Sequence, residues 1–256
     1  MMKILWMISF FIIGTVLGSF YNVLGYRVPL NKSIVYPGSF CPRCGHDLKW
    51  YELIPVISYI FLGGKCRNCK QPISLMYPFI ELFCGILFMV SYYSFGFSGN
   101  LFISLILVSL LCIVIVSDVN YMIIPDVFLI VASVLIIITK LISVGLFKTL
   151  LSIGYGIIAF VIMYLVSLLG NKIFKKETLG GADIKLFFII GLIFNPLMSM
   201  MVLLLASVIA FPISLFIFIK NKENAIPFGP FIVLSLVFLF WTKIDFNTII
   251  NFLSEL

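Results

Sequence analysis

The sixteen residues from Leu101 to Val116 read LFISLILVSLLCIVIV and include no charged side chain. At about 1.5 Å per helical residue they cover about 24 Å of the ~30 Å hydrocarbon core of a bilayer. Apolar and polar residues do not alternate along this run, as they would in a strand of a membrane β-barrel. The run therefore predicts a transmembrane helix.

The rest of the chain has a similar composition. Of its 256 residues, 62% are hydrophobic and 11% are charged, whereas a soluble domain is about half apolar and about a quarter charged. These values exclude a soluble globular enzyme, a disordered protein and a secreted disulfide-rich protein. They predict an all-α polytopic membrane protein.

About eight transmembrane helices account for the apolar runs. The run Ile184–Phe194 is too short to span alone and precedes the turn signal Asn195-Pro196, so we expect two helices between Ile184 and Ile219. The remaining runs of spanning length are Ile4–Tyr26, Leu75–Phe95, Val127–Val144, Leu150–Leu169 and Phe231–Ile250. We interpret the first as a retained span and not as a cleaved signal peptide, because further apolar runs follow it.

The basic residues predict the topology. With the N-terminus outside, 13 of the 17 Lys and Arg residues fall in the cytoplasmic segments 27–73, 117–126, 171–185 and 220–230, as the positive-inside rule requires. We therefore attribute the net charge of +7 to the membrane topology. We expect the lipid bilayer as a partner, and no nucleic acid. We predict a multi-pass cell-membrane protein with three parts: a first transmembrane helix (1–26), a cytoplasmic insert (27–73) and a transmembrane domain (74–256).

Four of the six cysteines form two pairs inside the insert. The pairs are Cys41-Pro-Arg-Cys44 and Cys66-Arg-Asn-Cys69, a spacing typical of zinc ribbons. A tight turn at each pair can direct two thiolates at one ion, and four thiolates form a closed structural site with no open position for catalysis. The alternative is two disulfides, which a reducing cytoplasm disfavours. The single histidine, His46, is expected beside the zinc ligands and not among them.

Four acidic residues lie at or near the ends of predicted spans. Asp118 ends the third span, Asp126 follows Pro125 at the start of the fourth, Asp183 opens the sixth, and Glu81 lies within the second. Asp118 and Asp183 fall on the same, cytoplasmic, face in this topology. Two carboxylates sharing one proton can act as base and acid in peptide hydrolysis. Each also has another interpretation: Asp126 and Asp183 as helix-start residues, Asp118 as a span terminus, and Glu81 either as a partner of a basic residue or as a residue that lines the site.

Several motifs together resemble one family, the bacterial type IV prepilin peptidases, which are intramembrane aspartyl proteases of the GxGD type. Asp118 stands seven residues before Pro125, and Gly180-Gly-Ala182-Asp183-Ile-Lys185 corresponds to the Gly-x-Gly-Asp motif, with Ala182 in place of the second glycine. The other matching segments are Gly18–Pro29, Tyr51–Ser58, Pro72–Ser74, Tyr77–Glu81, Ile226–Pro230 and the two cysteine pairs.

The resemblance implies that residues 74–256, after the zinc-binding insert 27–73, form a transmembrane peptidase domain with Asp118 and Asp183 as its catalytic pair. It also implies cleavage of the leader of prepilins or pseudopilins at the cytoplasmic face, and methylation of the new N-terminus with S-adenosylmethionine as cofactor. The chain has no glycine-rich Rossmann fingerprint for that cofactor, so methylation follows from the resemblance alone. Two other functions fit parts of the sequence: a proton-coupled transporter, because of the acids near the membrane, and a non-enzymatic zinc-knuckle assembly factor.

Overall fold

The computed structural model describes residues 1–175, 179–221 and 227–243, and within these it is built of helices. Eight of the helices hold the apolar runs, and the short α2 lies in the insert. Their bounds are α1 Met2–Arg27, α2 Ile57–Phe61, α3 Met76–Phe95, α4 Gly99–Tyr121, α5 Asp126–Val144, α6 Leu146–Phe174, α7 Gly181–Ile193, α8 Pro196–Asn221 and α9 Gly229–Thr242.

The all-α membrane fold is confirmed, and the number of eight spans is approximate. Within the described residues, six helices are long and apolar enough to cross a bilayer: α1, α3, α4, α5, α6 and α8. The 13-residue α7 and the 14-residue α9 are shorter. Some predicted features lie outside the described residues: positions 244–250 of the last run, Ile226 of the late motif, and the basic residues Lys176 and Lys222.

The chain divides into two compact units, Met1–Leu101 with Cys112–Tyr121, and Phe102–Leu111 with Met122–Leu256. In the first unit, α1 packs against α3 through glycines. A Cβ on Gly14 would lie 2.8 Å from the Cα of Gly85, and one on Gly18 would lie 2.8 Å from the Cα of Glu81. This spacing of four residues is the small-xxx-small pattern that lets membrane helices approach closely.

In the second unit, α6 and α7 meet at an equally close contact. A Cβ on Gly191 would lie 2.5 Å from the carbonyl oxygen of Tyr155 and 2.6 Å from the Cα of Gly156. Side chains of α7 such as Phe187 and Ile190 are fully buried. The helix that begins with the Asp183 motif is therefore enclosed by protein along most of its length.

Candidate functional site

The four paired cysteines converge on one point in the insert. The Sγ atoms of Cys41 and Cys69 are 3.9 Å apart, as are those of Cys44 and Cys66, and all four lie within 4.8 Å of one another. Zinc–sulfur bonds of about 2.3 Å in a tetrahedron separate the sulfurs by about 3.8 Å, whereas a disulfide needs about 2.05 Å. All six cysteines are free thiols, so the geometry fits a tetrahedral metal ion and not the disulfide alternative.

Each cysteine pair is held by its own backbone turn, and the two turns have the same hydrogen-bond pattern. In the first, Gly45 donates to the carbonyl of Cys41 at 2.9 Å, and in the second, Lys70 donates to the carbonyl of Cys66 at 3.0 Å. Both donors have positive φ, +69° and +58°. Glycine adopts this backbone without cost, whereas Lys70 must be held there by the turn. Sequence spacing predicted the pairing, and the repeated turn explains how both pairs point to one ion.

The cysteines also differ in acidity. Backbone hydrogen bonds from Cys44 and Arg43 lower the pKa of Cys41, and one from His46 lowers that of Cys44. At Cys69 the Gln71 backbone lowers the pKa, but partial burial and the neighbouring sulfurs outweigh it and raise the pKa to about 11. Thiolates crowded together repel one another, so a bound cation is what would keep all four deprotonated.

His46 lies beside the cysteine cluster and bonds to an acid. Its Nε2 is 3.2 Å from Oε2 of Glu52, which also accepts the backbone N–H of Lys49 at 2.9 Å. These contacts, the Lys49 N–H first, lower the pKa of Glu52. This contact explains how the only histidine supports the insert without belonging to the cysteine cluster, as the sequence predicted.

Asp118 lies in the last turn of α4, in the first unit, and its residue surface is 7% exposed. The helix α1 passes close by, because a Cβ on Gly25 would lie 2.5 Å from the Cβ of Val116. The ring of Tyr26 meets that of Tyr121 edge-on at 6.4 Å and stacks on that of Tyr77 at 5.3 Å. Asp118 is therefore buried at the end of α4, three residues before Tyr121, whose ring belongs to a group of tyrosines.

Asp183 lies in the first turn of α7, in the second unit, and is half-buried. Its carboxylate folds back towards the residue that precedes the helix: a Cβ on Gly180 would lie only 3.2 Å from Oδ2 of Asp183. A glycine at this position therefore leaves room around the carboxylate. An acid in a first turn is also stabilised by the helix dipole, so the structural and the catalytic interpretations of Asp183 are compatible.

Side chains join α5 and α7 at two places that the sequence did not predict. Lys185 Nζ lies 2.7 and 2.8 Å from the two carboxylate oxygens of Asp126, and Lys140 Nζ donates to the carbonyl of Leu192 in the last turn of α7. A lysine at a helix C-terminus satisfies a carbonyl that has no partner within the helix. The signal for the first contact was an acid and a base at the ends of two spans on the same face.

Among the described residues Glu81 forms a hydrogen bond to backbone and no ion pair with a basic residue, so its interpretation as a partner of a basic residue is not supported, and its interpretation as a residue that lines the site stays a prediction. Its Oε2 accepts the backbone N–H of Val56 at 2.7 Å. On the neighbouring helix, Asn22 is 1% exposed and donates to the carbonyls of Gly18 and Tyr77. Glu81 thus joins the insert to α3, and Asn22 joins α1 to α3.

The two remaining cysteines, Cys84 and Cys112, are fully buried in spans, as small core residues should be.

Two family models match most of the chain. The model described as Bacterial Peptidase A24 N-terminal domain matches residues 12–95, and the Type IV leader peptidase family matches residues 105–215. The chain belongs to the type IV leader peptidase family. The second match includes both Asp118 and Asp183, and the first includes all four paired cysteines. The resemblance of the sequence motifs is thus confirmed.

Relatives named prepilin leader peptidase/N-methyltransferase support the assignment. The chain is 33% identical to the Vibrio cholerae protein over 94% of its own length and 98% of the relative's. It is 39% identical to the Bacillus subtilis protein over 72% and 71% of the two chains. It is 40% identical to the Myxococcus xanthus protein over 70% of its own length, but spans only 53% of that relative. No solved structure matches the chain.

Proposed function

We propose that this protein cleaves the leader peptides of type IV prepilins or pseudopilins and methylates the new N-terminus, with Asp118 and Asp183 as its catalytic pair. The observation that carries the proposal is the family membership together with the position of the two acids. One is buried in the last turn of α4 and the other lies in the first turn of α7. Both helix ends face the cytoplasm in the topology that the basic residues predict.

A pair of carboxylates that shares one proton can carry out the hydrolysis. The ionised aspartate takes a proton from water, whose oxygen adds to the scissile carbonyl carbon while the protonated aspartate gives its proton to the carbonyl oxygen. The intermediate then breaks its C–N bond. The amine leaves with a proton from the first aspartate, the hydroxyl proton returns to the second, and the pair recovers its single shared proton. The leader gains a carboxylate and the mature protein a free amine.

The orientation follows from the same reasoning. With the N-terminus outside, the insert and both aspartates lie at the cytoplasmic membrane face. The substrate therefore presents an apolar helix within the membrane and its leader on the cytoplasmic side. Gly180 beside the carboxylate of Asp183 leaves space for a substrate backbone to approach.

The cofactors have separate roles. Zinc held by Cys41, Cys44, Cys66 and Cys69 would be structural, because four thiolates leave no coordination position for a substrate. S-adenosylmethionine supplies the methyl group in the second reaction. The basis for this cofactor is the N-methyltransferase name that the relatives carry, and we assign none of the present residues to its binding.

Replacing each aspartate by asparagine tests the assignment. Asp118→Asn and Asp183→Asn should each abolish cleavage of a purified prepilin, because an amide can neither take up the water proton nor supply an acidic one. Asp126→Asn is the matched control, since it lies eight residues from Asp118 and outside the proposed pair. It should retain most activity.

The opposite pattern, an inactive Asp126→Asn and an active Asp118→Asn, would show that the catalytic assignment is wrong. If all three variants cleave normally, the aspartyl mechanism fails. A zinc-knuckle assembly factor would then explain the chain better, or a proton-coupled transporter if the variants alter proton flux in vesicles.

A further inference from the structure

The short helix α2 in the insert carries an apolar face that no described residue covers. Ile57, Ile60 and Phe61 are 51%, 69% and 86% exposed. Their spacing of three and four residues places them on one side of the helix. On the other side, the hydroxyl of Tyr59 donates to the carbonyl of Ile73 at 3.3 Å, so the helix is attached to the insert by its opposite face.

The hydrogen bond to Glu81 sets the depth of α2 relative to the membrane. The 20 residues of α3 extend about 30 Å, the thickness of a hydrocarbon core. Glu81 is the sixth residue of α3, about 7.5 Å from its first end. Its carboxylate binds the N–H of Val56, the residue directly before α2. The start of α2 is therefore held at the membrane edge and not out in the aqueous phase.

The backbone conformation at Val56 indicates that the contact with Glu81 is imposed by the surrounding structure. Its φ is +61°, a conformation that is rare for a β-branched residue and persists only where the surroundings enforce it. The carboxylate of Glu81 is buried, so polypeptide of the insert shields this charge from lipid at a depth where exposure to hydrocarbon is unfavourable. The exposed side of α2 is left facing outward at that same depth.

The charge of the insert favours membrane lipid as the occupant of this apolar face. Residues 27–73 contain seven Lys and Arg residues and two acids, a balance that attracts anionic lipid headgroups. Trp50 is 77% exposed, and tryptophan is enriched where headgroups meet acyl chains. We infer that α2 is an interfacial helix whose apolar face, Ile57, Ile60 and Phe61, inserts into the lipid leaflet on the side of the insert.

A single tryptophan reporter tests this inference in the full chain. The native Trp6, Trp50 and Trp241 are replaced by phenylalanine, and the reporter is introduced as Phe61→Trp, or as Ile57→Trp if the first variant loses its zinc. The protein is reconstituted in vesicles of phosphatidylcholine and anionic phosphatidylglycerol, with or without bromine on the shallow acyl carbons. Arg43→Trp, on an exposed turn between two cysteines, is the control reporter.

The reporter at position 61 should emit at shorter wavelength than the control, be quenched by brominated lipid, and resist aqueous iodide several-fold better. The control should be quenched by iodide and not by bromine. Equal iodide quenching at the two positions overturns the inference. Shielding of position 61 from both quenchers also overturns it, because the face would then be covered by protein.

Variants of Glu81 test the depth argument separately. Glu81→Gln keeps an oxygen that can accept the Val56 N–H, so bromine quenching at position 61 should persist. Glu81→Leu removes the acceptor and should weaken that quenching several-fold. Equal quenching in both variants would show that Glu81 does not set the depth of α2. These measurements do not depend on catalysis, so they stand apart from the test of the two aspartates.

Discussion

The contact between α6 and α7 allows a prediction with a magnitude. In Gly191→Ala the new methyl would lie 2.5 Å from the carbonyl oxygen of Tyr155, where ordinary contact begins at 3.4 Å. The two helices must therefore separate by about 0.9 Å. The nearest obstacles, the oxygen of Tyr155 and the Cα of Gly156, are backbone atoms that cannot rotate away.

Two effects should follow from this displacement. Overpacking of a close contact typically costs about 1–3 kcal/mol of the free energy of unfolding. The shift also moves α7, whose first turn holds Asp183, eight residues before Gly191. A misplacement of about 1 Å can lower an enzymatic rate by about 100-fold, so we expect cleavage to fall by one to two orders of magnitude.

Gly154→Ala on α6 is the matched control, because a Cβ there meets nothing within 4 Å. Alanine is favoured over glycine in a helix by up to about 1 kcal/mol, so this variant should be as stable as the wild type or more so. Unfolding by SDS titration and prepilin cleavage would be measured for both. If Gly191→Ala matches Gly154→Ala in stability and rate, the close contact does not constrain α7.

Three further predictions concern the insert and the contact between α5 and α7. Metal analysis should find one equivalent of zinc in the wild type and none in Cys41→Ser combined with Cys66→Ser, which should also reduce methylation more than cleavage; zinc retention would contradict this. Asp126→Lys, unlike Asp126→Asn, places two like charges together and should lower activity by roughly fivefold at most, since an exposed pair is worth about 0.2–1 kcal/mol; adding Lys185→Asp should restore activity, and failure of the double reversal to rescue would contradict an ion-pair role. The pKa of Glu52 is lower in the folded protein than its ordinary value of 4.5. The ionised side chain therefore contributes its full stabilisation above pH 4.5, and this contribution is lost as the pH falls through the folded-state pKa. The difference in thermal unfolding temperature between wild type and Glu52→Gln should therefore shrink below pH 4.5, and a difference independent of pH would count against it.

Composition and run length were sufficient to predict the helices. The long runs have no alternative to helix in a bilayer, because every backbone polar group must be satisfied within its own segment. The Asn195-Pro196 turn was also predictable: the side chain of Asn195 accepts the N–H of Met198 at 2.8 Å at the start of α8. Span count was less certain, because a helix enclosed by protein, as α7 is, need not have the length of a lipid-facing one.

The candidate site was only partly predictable. Local spacing predicted the four cysteines, because each pair is a short turn. The bond from Val56 to Glu81 joins residues 25 positions apart, and the contact of Lys140 with Leu192 joins residues 52 apart. Pairings of this kind depend on how helices pack, for which a single sequence carries little signal. The assignment of Asp118 and Asp183 to one reaction accordingly stays a prediction for the asparagine variants to test.

The repeated turn around the cysteines has a consequence for how the insert acquires its metal. Every feature of the first turn recurs 25 residues later: Cys41 and Cys66, Cys44 and Cys69, and the isolated bridges Phe40–Asp47 and Lys65–Pro72. Two half-sites with the same backbone turn would hold the ion between them, and capture by one half would precede closure by the other. The other half must then close a loop of about two dozen residues, which carries a modest entropic cost. When zinc is scarce, closure around one ion prevails. When zinc is in large excess, each half-site competes for an ion of its own, so the population of the closed four-thiolate site passes through a maximum while the total zinc bound keeps rising.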